Sequence, residues 1–329
     1  MRCNTFFAVA VGLVVSLAAG MAGAAERAPL KVGYSDWPGW IAWQVAIDKG
    51  WIKEAGVNVS FEWLDYSASL DAFVAGQLNG VHATNGDTLV MGARGGIGVM
   101  VMITDYSKGN DMVVASAGIK SMTDLKGQKI GLEIGLVDHL LLLNGLKQEG
   151  MTPKDVSLVN GNTNDLLKLL ASGEVAAIAT WEPYAGRAMR SLPGAHSIYS
   201  SALAPGLIYD VLTVTPASLS QRKADWVKLI KLWDRVVRYI DDPRTRDDAV
   251  KIMSARAGST PEAYSAFLGG TRLLRLVDGK QVMVKGPSVA SLYGSTRNAD
   301  AFNVTNGVYK MSRPVDFYID PSLTAAALQ

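Results

Sequence analysis

Cysteine is almost missing from this chain, whose 329 residues hold only Cys3. One cysteine beside the amino terminus excludes an internal disulfide framework and a thiolate metal site, so stability has to come from packing. Histidine is scarce as well: His82, His139 and His196 lie far apart and form no HExxH or comparable ligand spacing. Excess charge of one sign is also lacking, since 32 basic side chains face 30 acidic ones. Such a chain has no concentrated positive field with which to neutralise phosphates, and no nucleic-acid partner is expected. Beyond residue 19 no charge-free apolar run approaches the ~20 residues needed to span a bilayer. Phosphate-loop, GxSxG and dinucleotide fingerprints are absent, because the glycines of GARGGIG (92–98) have the wrong spacing and precede an apolar strand instead of following one. No cofactor and no metal are expected.

What is present is an ordinary globular composition, 49% hydrophobic and 19% charged, in a chain long enough for two cores. Met1 to Ala25 has Arg2, then an apolar run from Phe6 to Ala19, then small residues ending at Ala25. This is the three-part layout of a secretory signal peptide, and residues 1–25 are expected to be cleaved. Cys3 precedes the apolar run, where a lipoprotein places its cysteine after it, so a lipid anchor is not expected.

From Leu30 onward short β-branched runs alternate with amphipathic stretches, which predicts an α/β fold with parallel-rich sheets flanked by helices. One series runs from LKVGY (30–34) to IGVMVMIT (97–104), and a second from KIGLE (129–133) to VAAIAT (175–180). MVVAS (112–116) and YDVLTVT (209–215) read as extended crossovers at which two lobes hinge. The expected organisation is a first lobe of residues 26–112 plus 213–329 and an inserted second lobe of residues 113–212, with a ligand crevice between them. Arg222 to Ile240 carries apolar residues at i, i+3/i+4 and i+7, an amphipathic helix.

Five segments in this order carry a resemblance: KVGYSDWPGW (31–40), AIDKGWIKEAGVNVSF (46–61), AFVAGQLNGVHATNGDTLV (72–90), IKSMTDLKGQKIGLEIG (119–135) and LLASGEVAAIATWEPYAG (169–186). Over about Lys31 to Asp316 the chain resembles the NMT1-like periplasmic substrate-binding proteins of ABC importers, the nitrate, sulfonate, taurine and thiamine-pyrimidine-precursor class. It departs from that pattern at Asn79, where the family usually has an acid, and at Glu174 and Ala176, where a motif is shifted. The resemblance implies a two-lobe periplasmic binding protein (type II) that is a monomer, is not an enzyme, closes on a small-molecule ligand and delivers it to the transmembrane subunits of a permease. It does not identify the ligand.

Ligands of open α/β sheets sit outside the carboxyl ends of the strands, so residues following each predicted strand form the candidate site. These ends hold Asp36, Asp87, Asp105, Asp111, Glu133, Asp138, Glu182 and Asp210, against one basic residue, Lys108. Asn85, Asn110, Trp37, Trp40 and Trp181 stand among them. An anion would be met by arginine, lysine, hydroxyls and helix amino termini, whereas acids with flat π faces suit a cation. Trp37, Trp40, Asn85, Asp87, Asp105, Asn110, Asp111, Glu133, Asp138, Trp181, Glu182 and Asp210 are therefore the expected ligand contacts. The expected ligand is a small organic nitrogen-containing cation, heterocycle or zwitterion. Asp87 and Asp138 also fit as helix caps or dipole partners, and His82 as a hydrogen-bonded strand residue. The alternatives are a taurine, alkanesulfonate or nitrate binder of the same family and, more remotely, a hydrolase working with a carboxylate pair. A pyrimidine-precursor-processing enzyme would need a site cysteine that residues 26–329 do not contain.

Overall fold

The computed structural model describes residues 27–311 and 313–329, so the expected signal segment and Cys3 lie outside the described residues. Its strands are β1 (Leu30–Tyr34), β2 (Val59–Trp63), β3 (Gly80–Thr84), β4 (Val99–Ser107), β5 (Asp111–Ala115), β6 (Lys129–Leu132), β7 (Ser157–Asn160), β8 (Ala177–Trp181), β9 (His196–Ser200), β10 (Tyr209–Val214) and β11 (Thr271–Leu273). They form a six-stranded sheet in the order β11-β4-β10-β3-β1-β2 and a five-stranded sheet in the order β7-β6-β8-β5-β9. Both sheets are mixed. Pairing is parallel where βαβ units build them, β2-β1-β3 and β7-β6-β8. It is antiparallel where a strand arrives directly from the other lobe, as β10 and β5 do.

The segments expected to hinge are paired strands: β5 belongs wholly to the second sheet and β10 to the middle of the first. A β-branched run in an extended linker and one in a buried strand look alike in sequence, so the expected hinges fall on strand residues. The chain passes between the sheets at residues 108–110 and 201–208. We propose lobe boundaries there. Ser107 and Ser201 join their hydroxyls at 2.6 Å across the two passages, and Gly109 N donates to Ser201 Oγ at 2.8 Å. Gly109 (φ 134°) and Gly206 (φ 80°) hold conformations that L side chains rarely adopt, and a Cβ on Gly206 would meet the Val289 carbonyl at 2.5 Å.

Behind the first sheet, the helix Lys223–Asp241 buries Trp226, Leu229, Ile230, Leu232, Trp233, Val236, Val237 and Ile240, the stripe its sequence predicts. Trp233 packs on Trp43 with ring centroids 5.2 Å apart. Trp43, Trp226 and Trp233 are thus core. No helix among the described residues is long and apolar enough to cross a membrane.

Candidate functional site

Strand register gathers the acids. β10 lies between β3 and β4, which sets Asp210 opposite Thr84 on one side and Asp105 on the other. In the second lobe the β5–β8 pairing puts Asp111 opposite Trp181. After β1 a tight turn, closed by Trp40 N donating to the Trp37 carbonyl at 3.0 Å, carries Trp37 and Trp40 over the same space. The result is a tight space between the lobes with a cavity volume of ≈ 10 Å³, about enough for one water. Its walls are Trp37, Trp40, Tyr66 and Trp181, its acids Asp111 and Asp210, and its far rim Thr84, Val137 and Ile208.

No lysine or arginine lines this space, and Lys108 is exposed. Asp111 and Asp210 are each 2% exposed, and the Oδ2 atoms of Asp105, Asp111 and Asp210 find no hydrogen-bond donor. Burial pushes all three carboxyls up, Asp111 to about 7, and their mutual repulsion adds to the effect on Asp111 and Asp210. Asp138, fully buried with both oxygens unpartnered, is raised for the same reasons, with Asp111, Glu133 and Asp87 as its charged neighbours. Burial raises Glu133 to about 7 and Asp87 to about 6. Six carboxyls thus share one desolvated region without a counter-cation.

Several expected contacts have protein partners instead. Asp105 accepts from Trp37 Nε1 at 2.8 Å, so that tryptophan orients an acid as well as walling the cavity. Asp87 accepts from Tyr66 Oη at 2.5 Å and from the backbone amide of Val137, the first residue of the helix Val137–Gln148 in the other lobe. It also donates its own amide to Thr84 Oγ1, the amino-terminal cap of the helix Asn85–Ala93. Glu133 accepts from Thr163 N at 3.3 Å and from Ser67 across the cleft. Asp36 bridges the lobes too, accepting from Tyr184 Oη and from Trp181 Nε1.

Seven expected residues, Asn85, Asp87, Asp105, Asn110, Glu133, Asp138 and Glu182, stand outside the lining of this space. Asn85 donates to Ser295 and Thr296 hydroxyls and accepts from Tyr209 N, and Asn110 donates to the Phe267 carbonyl and Thr271 Oγ1, tying the first passage to β11. Glu182 accepts from Gly186 N at 2.9 Å at the start of the helix Tyr184–Ser191 and sits near Arg190. Glu182→Ala is therefore expected to cost about 0.5–2 kcal/mol of stability, the usual range for a lost cap, with ligand affinity changed less than twofold. Chemical denaturation and calorimetric titration of the variant check both parts.

His82 is corrected as well. Neither ring nitrogen has a partner; the buried ring lies near Trp40 and Trp43 with centroids 6.2 and 6.0 Å away, and burial lowers it to about 3, which keeps it neutral. Tyr66, Thr84, Val137 and Ile208 are not among the expected contacts. A tyrosine opening the helix that follows β2 was the available signal for the first of these. Among the described residues no group of three or more His, Cys, Asp or Glu is arranged to hold a metal ion.

Residues 23–254 match the profile of the NMT1-like family. A chain of Brucella abortus (strain 2308), named only as a binding protein, is 28% identical over 196 residues, 59% of this chain and 60% of that one. The match therefore spans less than two thirds of that relative. In architecture the chain is similar to the alkanesulfonate-binding protein SsuA from Xanthomonas axonopodis pv. citri bound to MOPS, at TM-score 0.75 and 16% identity, over 90% of this chain and 99% of that one. It is also similar to the desulfurization enzyme DSZB, at TM-score 0.65 and 17% identity, over 92% and 99% of the two chains. At these identities the likeness shows the fold, which serves binding proteins and an enzyme alike.

Proposed function

The chain belongs to the NMT1-like family, and on that premise we propose that it is the solute-binding component of an ABC import system, capturing a small organic nitrogen-containing cation in the periplasm and handing it to a membrane permease. The observation that carries the ligand class is the pair Asp111 and Asp210. One comes from each lobe, each has an unpartnered buried oxygen, and both open on an aromatic-walled cavity without a basic side chain. A cation between them would satisfy both acceptors with charge-assisted hydrogen bonds while the tryptophan faces add cation–π attraction. The same bridge would hold the lobes together, which is how ligand capture becomes closure.

The architecture shared with an alkanesulfonate-binding protein favours a second reading, an anionic ligand. Charge opposes it. The natural anion site here is the amino terminus of the helix Val137–Gln148, and the Asp87 carboxylate already accepts from its first amide. A sulfonate would add negative charge to a region that already holds six acids.

A thermal-shift screen separates the two readings. A ligand at 100 times its dissociation constant adds ~2.7 kcal/mol of stability. Ammonium-type and other small nitrogenous cations are expected to raise the melting temperature, and taurine and nitrate to leave it unchanged. A shift with taurine or nitrate and none with any cation overturns the cation reading.

A further inference from the structure

A cavity of ≈ 430 Å³ opens between two helices that belong to different lobes, Val137–Gln148 of the second and Leu292–Thr305 of the first. It shares no lining residue with the space that holds Asp111 and Asp210. Small-molecule sites usually measure about 300–1,000 Å³, with mostly apolar walls and a few polar groups that fix orientation. Here Leu140, Leu143 and Met151 line one wall, Ala301 and Phe302 the other. The walls touch where Phe302 meets the His139 ring edge-on, centroids 5.5 Å apart.

Lys147 is the one charged side chain lining this cavity. It is exposed in the last turn of its helix, and among the described residues no carboxylate pairs with it. Two of the neutral polar groups are already engaged: Asn144 accepts from Tyr199 Oη at 2.7 Å, and Asn306 donates to the Phe302 carbonyl at 2.9 Å. Two other surface cavities, of ≈ 490 and ≈ 620 Å³, are lined by charges of both signs and lack this single-sign character.

We propose that the groove between these helices is a second ligand site, taking a small amphipathic carboxylate whose acid group meets Lys147 and whose apolar body lies between Phe302 and the leucines. The proposal is independent of the cation reading of the cleft. Because the walls belong to different lobes, an occupant that touches both stabilises the lobe arrangement that brings them together.

The test is calorimetric titration of the full chain with benzoate and hexanoate, and with benzyl alcohol and hexanol as uncharged counterparts. Both carboxylates are expected to bind, about two- to fivefold more tightly than the matching alcohols, the range for one ion pair at an exposed lysine. Lys147→Gln is expected to erase that ratio and leave alcohol affinity unchanged, which a role confined to the helix dipole would not do. Ala301→Trp, at an exposed position on the opposite wall, is expected to fill the groove and abolish binding of all four compounds, with a thermal melt confirming that the variant folds. Binding of none of the four to the native chain overturns the proposal. Equal affinity for acids and alcohols overturns the carboxylate class, and binding that survives Ala301→Trp overturns the two-walled site.

Discussion

Asp210→Asn is expected to weaken binding of the cationic ligand about 10- to 150-fold and at the same time to raise the melting temperature of the ligand-free protein at pH 8. The loss follows from removing a charge-assisted hydrogen bond in a desolvated site, about 1.5–3 kcal/mol. The gain follows from the cost of the native group. Asp210 is buried against Asp105 and Asp111, with one oxygen unpartnered and no cation in reach, so ionising it is unfavourable until a ligand arrives. An amide of the same shape removes that repulsion and can donate to Asp105. Asp111→Asn is expected to behave alike, and the double variant to lose less than the sum of the two, because both acids hold the same nitrogen. Titration calorimetry and thermal melts of the three variants measure these changes. Unchanged affinity with lowered stability in both single variants would mean that the acids serve packing and not the ligand.

The second large effect is in pH. The ligand-free protein should lose stability as pH rises from about 5 to 8, while affinity for a cation rises over the same range. The unfolded chain releases its carboxyl protons near the ordinary value of about 4. In the folded protein burial holds Asp87 to about 6 and Glu133 to about 7, and raises Asp105, Asp111, Asp138 and Asp210 as well. Between those limits the folded state binds more protons than the unfolded one, so raising the pH disfavours it; below about pH 4 both states are protonated and the difference disappears. No lysine or arginine counts among the main influences on any of the six groups. A cation reverses the effect by favouring the ionised forms, and binding at pH 6 should release protons. Melts across pH with and without ligand, and titrations in buffers of different ionisation enthalpy, read the two signs directly. A ligand-free melting temperature that rises from pH 5 to pH 8 would contradict the electrostatic description of the cleft.

Much of this architecture is legible in the sequence wherever the signal is local. β1 and the helix Lys223–Asp241 lie where the β-branched run and the apolar stripe put them. β9 (HSIYS) escapes because its alternation of polar and apolar residues resembles a loop, and β11 because three residues carry no period. Asp111 and Asp210, which line the space between the lobes, are picked out by the rule that ligands lie at strand ends, although each is itself a strand residue. Glu182 shows the limit of that rule. It follows Trp181 by one position, and one position along a strand changes the face, so the tryptophan lines the cavity while the glutamate caps the next helix. Thr84, Val137 and Ile208, which line the space between the lobes, come from three distant parts of the chain and meet only because the lobes are packed together, which no window of sequence contains.

The place of β10 in the first sheet has a consequence for the order in which the molecule can assemble. It stands between β3 and β4, yet it follows the whole second lobe in the chain. A chain that emerges from synthesis amino end first delivers β1 to β4 early and leaves the inner edges of β3 and β4 unpaired. The second sheet is drawn from one continuous stretch, β5 to β9, and can form as soon as that stretch emerges. The first lobe is thus the late folder although its residues come first, and the interval before residue 214 emerges is when its open edges are most vulnerable to proteases and to wrong partners.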